Sequence, residues 1–430
     1  MKTKNPVLAG LLAATFVVAA ACSKQEAKQA KNDVTTAAAN VKEKVEDAID
    51  VAVPVNGKDD PAAREKERFN EDWRNLESLR SAQAAAAAPA QAPPEVNVAF
   101  VQNAKETFRN MTPDAINKAP VSVPLKGDVS GPSVLKTQVY LDRANFSVGA
   151  LDGRWGRNTA IALWWYQRSR GINAAEPGAL DEATFRSLAS VAGGAPALIE
   201  QTITADDVKG PFVTIPEDVY DKEKLDCLCY ESKLEKLAER FHTTQEFLES
   251  LNPDVNFNTI DAGAKLWVPN VRPPRAASTP DIARVVVSIK GNTFNAFDAS
   301  GRLIFHAPTT LGSKYDPSPN ETAEVKKVVF DPHFHYQPTL FHEVPDSDPE
   351  ANLNPGPNSP VGVVWIALSK PHFGIHGTSD PESIGYASSH GCVRLANWDA
   401  REVAQRIAPG AQIEFLDTRK SSASSQVASQ

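Results

Sequence analysis

One cysteine stands in the run Ser388-Ser389-His390-Gly391-Cys392-Val393-Arg394-Leu395-Ala396-Asn397, a short loop downstream of Gly374-Ile375-His376-Gly377-Thr378. The run is polar and punctuated by glycine, and it follows an apolar segment over 361–368. It reads as a strand end opening onto a loop, not as a core strand. A thiol attacks only as the thiolate, and a neighbouring imidazole or cation lowers its pKa. His376 is the natural base. Gly391 lacks a Cβ, so substrate can approach the backbone there, and the amides of Gly391 and Cys392 can face a developing oxyanion. Arg394 can grip a carboxylate with its planar fork. The bland alternative is a buried structural cysteine beside two packed histidines.

These residues resemble the signature of the L,D-transpeptidase family with its YkuD-like catalytic domain. That signature is a histidine followed, after a loop, by Ser/Thr-His-Gly-Cys-apolar-Arg-x-x-Asn. The resemblance implies Cys392 as nucleophile and His376 as base. It implies Ser389, His390, Gly391, Arg394 and Gly377 as oxyanion or substrate residues, with the Gly377 carbonyl a candidate to orient His376. The implied reaction acts on peptidoglycan tetrapeptide stems: a thioester forms at the third residue, D-alanine leaves, and an amine acceptor resolves the thioester. No metal or organic cofactor is implied. Two alternatives stay open: a carboxypeptidase of the same chemistry, in which water replaces the amine, and a non-catalytic wall-binding envelope lipoprotein.

The chain has 430 residues and a net charge of −8, enough length for two or three cores and no sign of a nucleic-acid partner. Lys2 and Lys4 precede an apolar run over residues 7–21, too short to span a bilayer comfortably. Residues 1–21 therefore read as a signal peptide. The run ends Val18-Ala19-Ala20-Ala21-Cys22 and resembles a bacterial lipobox, which implies lipidation of Cys22 and anchoring to the outer membrane of a Gram-negative cell, on the periplasmic side. Soluble secretion is the alternative. Residues 22–119, rich in alanine, proline and charge, predict a part-helical, part-disordered spacer.

Residues 130–192 predict a small all-α domain of three helices. Leu151-Asp152-Gly153-Arg154-Trp155-Gly156 makes a tight turn, and Asn158-Thr159 can start the next helix. With Tyr166 and Gln167 this resembles the type 1 peptidoglycan-binding domain. Residues 224–271 predict two short helices between short strands and resemble a LysM module, in a βααβ order. Both resemblances imply wall binding; a spacer role is the alternative. Cys227 and Cys229 are expected as free thiols, since an extended pair two residues apart is poorly placed to bridge. A disulfide is the minority reading.

Residues 281–417 predict a mainly-β catalytic domain, β-sandwich-like with one or two helices: strands over 285–289, 293–297, 303–307, 361–368 and 412–415, and a helix over 399–407. The modules are expected to be joined by polar linkers, the last over 271–280. Residues 418–430 read as a disordered tail. Six of the eight histidines fall between His333 and His390. A metal site on His333 and His335, with Asp331 and His342, is conceivable; a polar cleft wall is the alternative. The insertion over 331–360, with Phe334, Tyr336 and Phe341, is expected to cover substrate and exclude water. Trp365 and Trp398 are expected in the core, and His306 and His372 as packed or solvated residues.

Overall fold

Order begins upstream of the expected boundary. The computed structural model describes residues 96–275, 279–289, 291–312, 317–319 and 321–416. The signal segment, Cys22, most of the spacer and the tail lie outside these described residues. Strand β1 (Phe100–Gln102) pairs in parallel with β2 (Val121–Val123), and helix α1 (Pro113–Lys118) lies between them. Thr112 caps α1 by accepting from the Ala115 amide, and Pro113 occupies the first turn, where no donor is needed. Val96, Val98, Phe100, Phe108 and Met111 pack onto the helical core. The spacer expected over 22–119 is therefore ordered from residue 96. Val96, Val98 and Phe100 alternate at a strand period, but the run is short and follows an alanine- and proline-rich stretch that masks it.

Three helices follow: α2 (Pro132–Arg143), α3 (Arg157–Ser169) and α4 (Glu182–Val191). Asp181 caps α4 by accepting from the Thr184 amide at 2.7 Å. Gln138 of α2 fixes the intervening turn: its Oε1 accepts from the Gly153 amide at 2.7 Å, and its Nε2 donates to the Arg154 carbonyl at 2.9 Å. Gly153 has φ +68°, and a Cβ there would strike the Phe108 ring, so glycine is required twice over. The start of α3 differs from expectation. Gly156 is its N-cap without side-chain help, and Asn158 instead donates to the Ile384 carbonyl, 2.9 Å away in the catalytic domain.

Strand β3 (Leu198–Thr202) pairs antiparallel with β4 (Lys265–Pro269) and brackets helices α5 (Lys233–Arg240) and α6 (Gln245–Leu251). Ser232 and Thr244 cap the two helices. Leu237, Ala238, Phe241, Leu248, Leu266 and Val268 form the core of this module. The order is βααβ, but the first strand lies ahead of residue 224, and residues 203–232 form an excursion before α5. Within that excursion Cys227 and Cys229 are disulfide-bonded, which overturns the expectation of free thiols. An extended pair would hold its Cα atoms roughly 6.6 Å apart. Here they are 5.2 Å apart, within bridging range, because the chain bends at Leu228. Leu228 donates to the Pro355 carbonyl and accepts from the Asn358 amide, at 3.0 and 2.9 Å.

The catalytic domain is built on one eight-stranded sheet. Its strands are β5 (Ile282–Ser288), β6 (Thr293–Phe297), β7 (Leu303–Pro308), β8 (Ala323–Phe330), β11 (Val364–Leu368), β12 (Gly374–His376), β13 (Val393–Arg394) and β14 (Ile407–Leu416). Strands β9 (Phe334–Tyr336) and β10 (Ala351–Leu353) form a separate pair, and helix α7 (Asn397–Arg406) precedes β14. The sheet order is β13-β12-β11-β8-β14-β5-β6-β7. Thr310, just past β7, exchanges both backbone hydrogen bonds with Arg394 of β13. The two edges thus meet, and the domain is a single curled sheet, not the expected sandwich. Closure leaves fewer open strand edges.

Strand alternation explains how the modules join this sheet. Val285 and Val287 of β5 face the inner core with Phe294, Ala296, Phe305 and α7, whereas Val286 and Phe297 face out and join the helical core, where Leu303 meets them because the β6–β7 register shifts between Ala296 and Phe297. Each buried side chain of this size stabilises by roughly 1.5–3 kcal/mol. The expected polar linker is itself part of the interior: Arg272 bridges Asp142 of α2 and Asp399 of α7 at 2.5 Å each, and His242 contacts Asp142 at 3.0 Å. Burial opposes charge on Asp142, but Arg272 and His242 hold its carboxyl down at about 2. Trp398 stacks on His242, and His306 is buried between Phe146 and Trp165.

Candidate active site

Cys392 precedes β13, and the register of β12 with β13 sets Ile375 beside Val393 and His376 beside Arg394. The thiol donates to the His372 carbonyl at 3.6 Å and receives the Gly374 amide. His372 has φ +65°, which turns its carbonyl toward the sulfur. Burial pushes the Cys392 thiol up, against the opposing pull of the Gly374 amide and Arg394. The resting group is therefore the thiol, not the thiolate that neighbouring charge alone suggests.

His376, two residues along β12 from Gly374, is buried, and its Nδ1 lies 2.6 Å from the Gly377 carbonyl. That contact assigns the proton to Nδ1 and leaves Nε2 as the acceptor. Burial, with Arg394 adding to it, lowers His376 to about 3, so the imidazole is neutral across the physiological range. Trp365, its cross-strand partner, stacks on it with centroids 5.6 Å apart. The same indole covers Gly374, where a Cβ would come within 2.6 Å of the ring. Trp365 is thus half-buried beside the imidazole and is not the simple core residue expected.

The loop that carries Cys392 is tied from both sides. Ser389 is buried, its Oγ donating to the Cys392 carbonyl at 2.7 Å and its amide to the Leu311 carbonyl at 2.8 Å. Gly391 has φ +101°, and its carbonyl accepts from Ser318 at 2.8 Å. In a trans peptide the following N–H, that of Cys392, points the opposite way. Burial lowers the Arg394 pKa, and its Nε is enclosed without a hydrogen-bond partner.

Residues 331–360 form a cap whose tip meets this loop. His390 is exposed, with Nε2 2.7 Å from Glu343 and its ring 4.9 Å from that of Phe341. Hydrogen bonding to His390 holds Glu343 below its ordinary value. His342, Glu343 and His390 bring ligand atoms within 4.8 Å of one another, a set able to hold a cation. The expected set is not assembled: His335 pairs with Glu350 at 2.8 Å instead of joining His333 and His342. The far end of the cap docks on the excursion ahead of α5, with Tyr220 donating to Pro349, Asn352 to Glu223 and Asn354 to Leu225.

Asn397, which closes the motif, proves to be a buried hub. Its Oδ1 accepts from the Val363 and Thr378 amides at 3.2 and 3.1 Å, and its Nδ2 donates to Glu239 and to Pro357 at 3.0 and 3.2 Å. The motif contained this residue without disclosing its partners. The roles of Trp365 and the His372 carbonyl carry no sequence signal, because each depends on strand register.

The L,D-transpeptidase catalytic domain family model (YkuD) matches residues 282–415. The L,D-transpeptidase YkuD of Bacillus licheniformis is 30% identical over 182 residues, covering 42% of this chain and 92% of that protein. The L,D-transpeptidase YbiS of Escherichia coli K12 is 36% identical over 62 residues, covering 14% and 20%. Among solved structures, the L,D-transpeptidase from Xylanimonas cellulosilytica covers 69% of this chain and 98% of its own, at 15% identity and TM-score 0.31. On the extent of its match to the Bacillus licheniformis protein, the chain belongs to the L,D-transpeptidase family.

Proposed function

We propose that this chain is a cysteine L,D-transpeptidase of the cell wall whose nucleophile is Cys392 and whose base is His376. The observation that carries the reading is the thiol held between the His372 carbonyl and the Gly374 amide, on the strand neighbouring a neutral, oriented imidazole. Because thiol and imidazole are both neutral at rest, proton transfer accompanies attack. His376 Nε2 takes the thiol proton as sulfur adds to the carbonyl of the third stem residue. The Cys392 amide, with that of Gly391, receives the oxyanion. Collapse expels D-alanine, whose amine takes the proton back from His376, and leaves a thioester. An acceptor amine then attacks, gives up a proton to His376 and releases the thiol.

Arg394, with its enclosed Nε, suits a stem carboxylate, and His390 with the cap suits a wall of the acyl site. Sheltering the thioester favours an amine over water. In this reading Cys22 carries a lipid anchor in the outer membrane, and the helical and βααβ modules contact glycan. The test is mass spectrometry of the purified protein incubated with a tetrapeptide-bearing muropeptide, with and without an acceptor amine. The expected adduct maps to Cys392, is absent in Cys392→Ser and His376→Ala, and resolves to a new amide when the amine is present. An adduct elsewhere, or undiminished turnover in Cys392→Ser, refutes the assignment.

A further inference from the structure

Glu239 lies on α5, in the βααβ module, yet its carboxylate is turned toward the catalytic domain. Oε1 accepts from the Tyr230 hydroxyl at 2.9 Å and Oε2 from Asn397 Nδ2 at 3.0 Å. A carboxylate can only accept, so it fixes which end of the Asn397 amide faces it. The Asn397 Oδ1 is thereby directed at the Val363 and Thr378 amides. It also presses on Gly377, where a Cβ would collide with it. Gly377 supplies the carbonyl that holds the His376 Nδ1 proton. The chain of contacts runs from one module to the imidazole of the other without a gap.

We propose that Glu239 is a positioning residue for the base, acting through Asn397 on the Gly377–Thr378 peptide that orients His376. The inference rests on the reading of His376 as base. Glu239 is held at a cost that a merely decorative residue would not bear. Burial pushes it up to about 7 in spite of the hydrogen bonds from Asn397 and Tyr230, with Glu235 adding repulsion and Arg401 opposing it. If Glu239 is removed, Asn397 Nδ2 keeps only the longer bond to the Pro357 carbonyl at 3.2 Å, and the amide is held less firmly against the Gly377–Thr378 peptide. The βααβ module then contributes to the chemistry and is not only a wall contact.

The test compares Glu239→Gln and Glu239→Leu in the full chain. The readouts are the single-turnover rate of Cys392 acylation by a soluble tetrapeptide muropeptide, the kcat and KM split, thermal midpoint, and the imidazole N–H proton resonance of His376. Glutamine can still accept from Asn397, so Glu239→Gln is expected within about threefold of wild type. Glu239→Leu is expected to lose roughly ten- to a hundredfold in acylation rate with KM little changed, the scale of a misplaced catalytic group, and to shift or broaden the His376 resonance. An Glu239→Leu protein that is less heat-stable but acylates at the wild-type rate per folded molecule, with an unmoved resonance, overturns the proposal and leaves a structural role. His376→Ala run in parallel separates the two readings: undiminished acylation there removes the base assignment itself, whatever Glu239 does.

Discussion

The helical module and the βααβ module meet the catalytic sheet by opposite means. The first offers apolar residues: Val286, Phe297 and Leu303 of the sheet leave their own domain's core and enter that of α2, α3 and α4. The second offers mainly polar and backbone contacts: the 218–230 strip against the cap, and Glu239 against Asn397. Apolar burial is strong and indifferent to direction, so it suits a scaffold. Hydrogen bonds to a carboxylate or an amide are directional and weaker in net terms, so they suit the setting of atoms. One junction therefore holds the domain up, and the other reaches its chemistry.

The severest test removes both modules. A chain of residues 279–430 should not yield soluble folded protein, since it exposes three large apolar side chains and leaves Asp399 without Arg272 and Ser147. A monomeric fragment with a sharp thermal transition would break the comparison and restore the picture of tethered beads. Next in size is Arg272→Ala, which strands Asp142 and Asp399 and should cost roughly 3–5 kcal/mol in denaturant melts, with acylation per folded molecule unchanged. A fall in acylation without a fall in stability would mean that this junction too reaches the site.

Acid sharpens the same contrast. Asp142 is held at about 2, below its ordinary 3.8, so its contribution is complete above about pH 4 and is lost as pH falls through about 2. Urea midpoints should decline across that window, and the decline should be smaller in Asp142→Asn, in which the depressed carboxyls of Asp207, Asp281 and Asp298 keep their share. Acylation should behave differently. His376 stays neutral well below pH 5 and the Cys392 thiol is raised, so both groups keep their reactive protonation states and the rate should be flat from pH 6 to 9, with no acidic limb near 6. A bell centred near 7 would argue for a resting thiolate–imidazolium pair. The smallest effect expected is that of Cys227→Ser with Cys229→Ser. A loop this short repays little chain entropy, ~1–2 kcal/mol, measured by thermal melts, with activity retained.

The loop around Cys392 was the most legible part of the candidate site, because its residues are contiguous: His390, Gly391, Cys392 and Arg394 fall within five positions. What escaped depends on through-space partners. Strand β8 carries Lys326 and Lys327 at exposed positions, which blurs its alternation. Trp365 looks like any core tryptophan until β11 and β12 are in register. The Cys227–Cys229 bridge depends on a bend at Leu228 that Pro355 and Asn358 secure from more than a hundred residues away. Arg272 reads as linker because two prolines follow it, although its guanidinium joins two domains.

That arginine also bears on how such a gene can change. A linker that only spans distance can be cut and rejoined, and recombination can exchange the domains on either side. Here the seam itself carries a charge that both neighbours are shaped to neutralise, Asp142 on one side and Asp399 on the other. A crossover within residues 271–280 that brought in a foreign front half lacking the equivalent of Asp142 would leave a guanidinium half-paired in the interior. The front half and the catalytic half should therefore exchange only as one piece, and substitutions at the three positions should arise together.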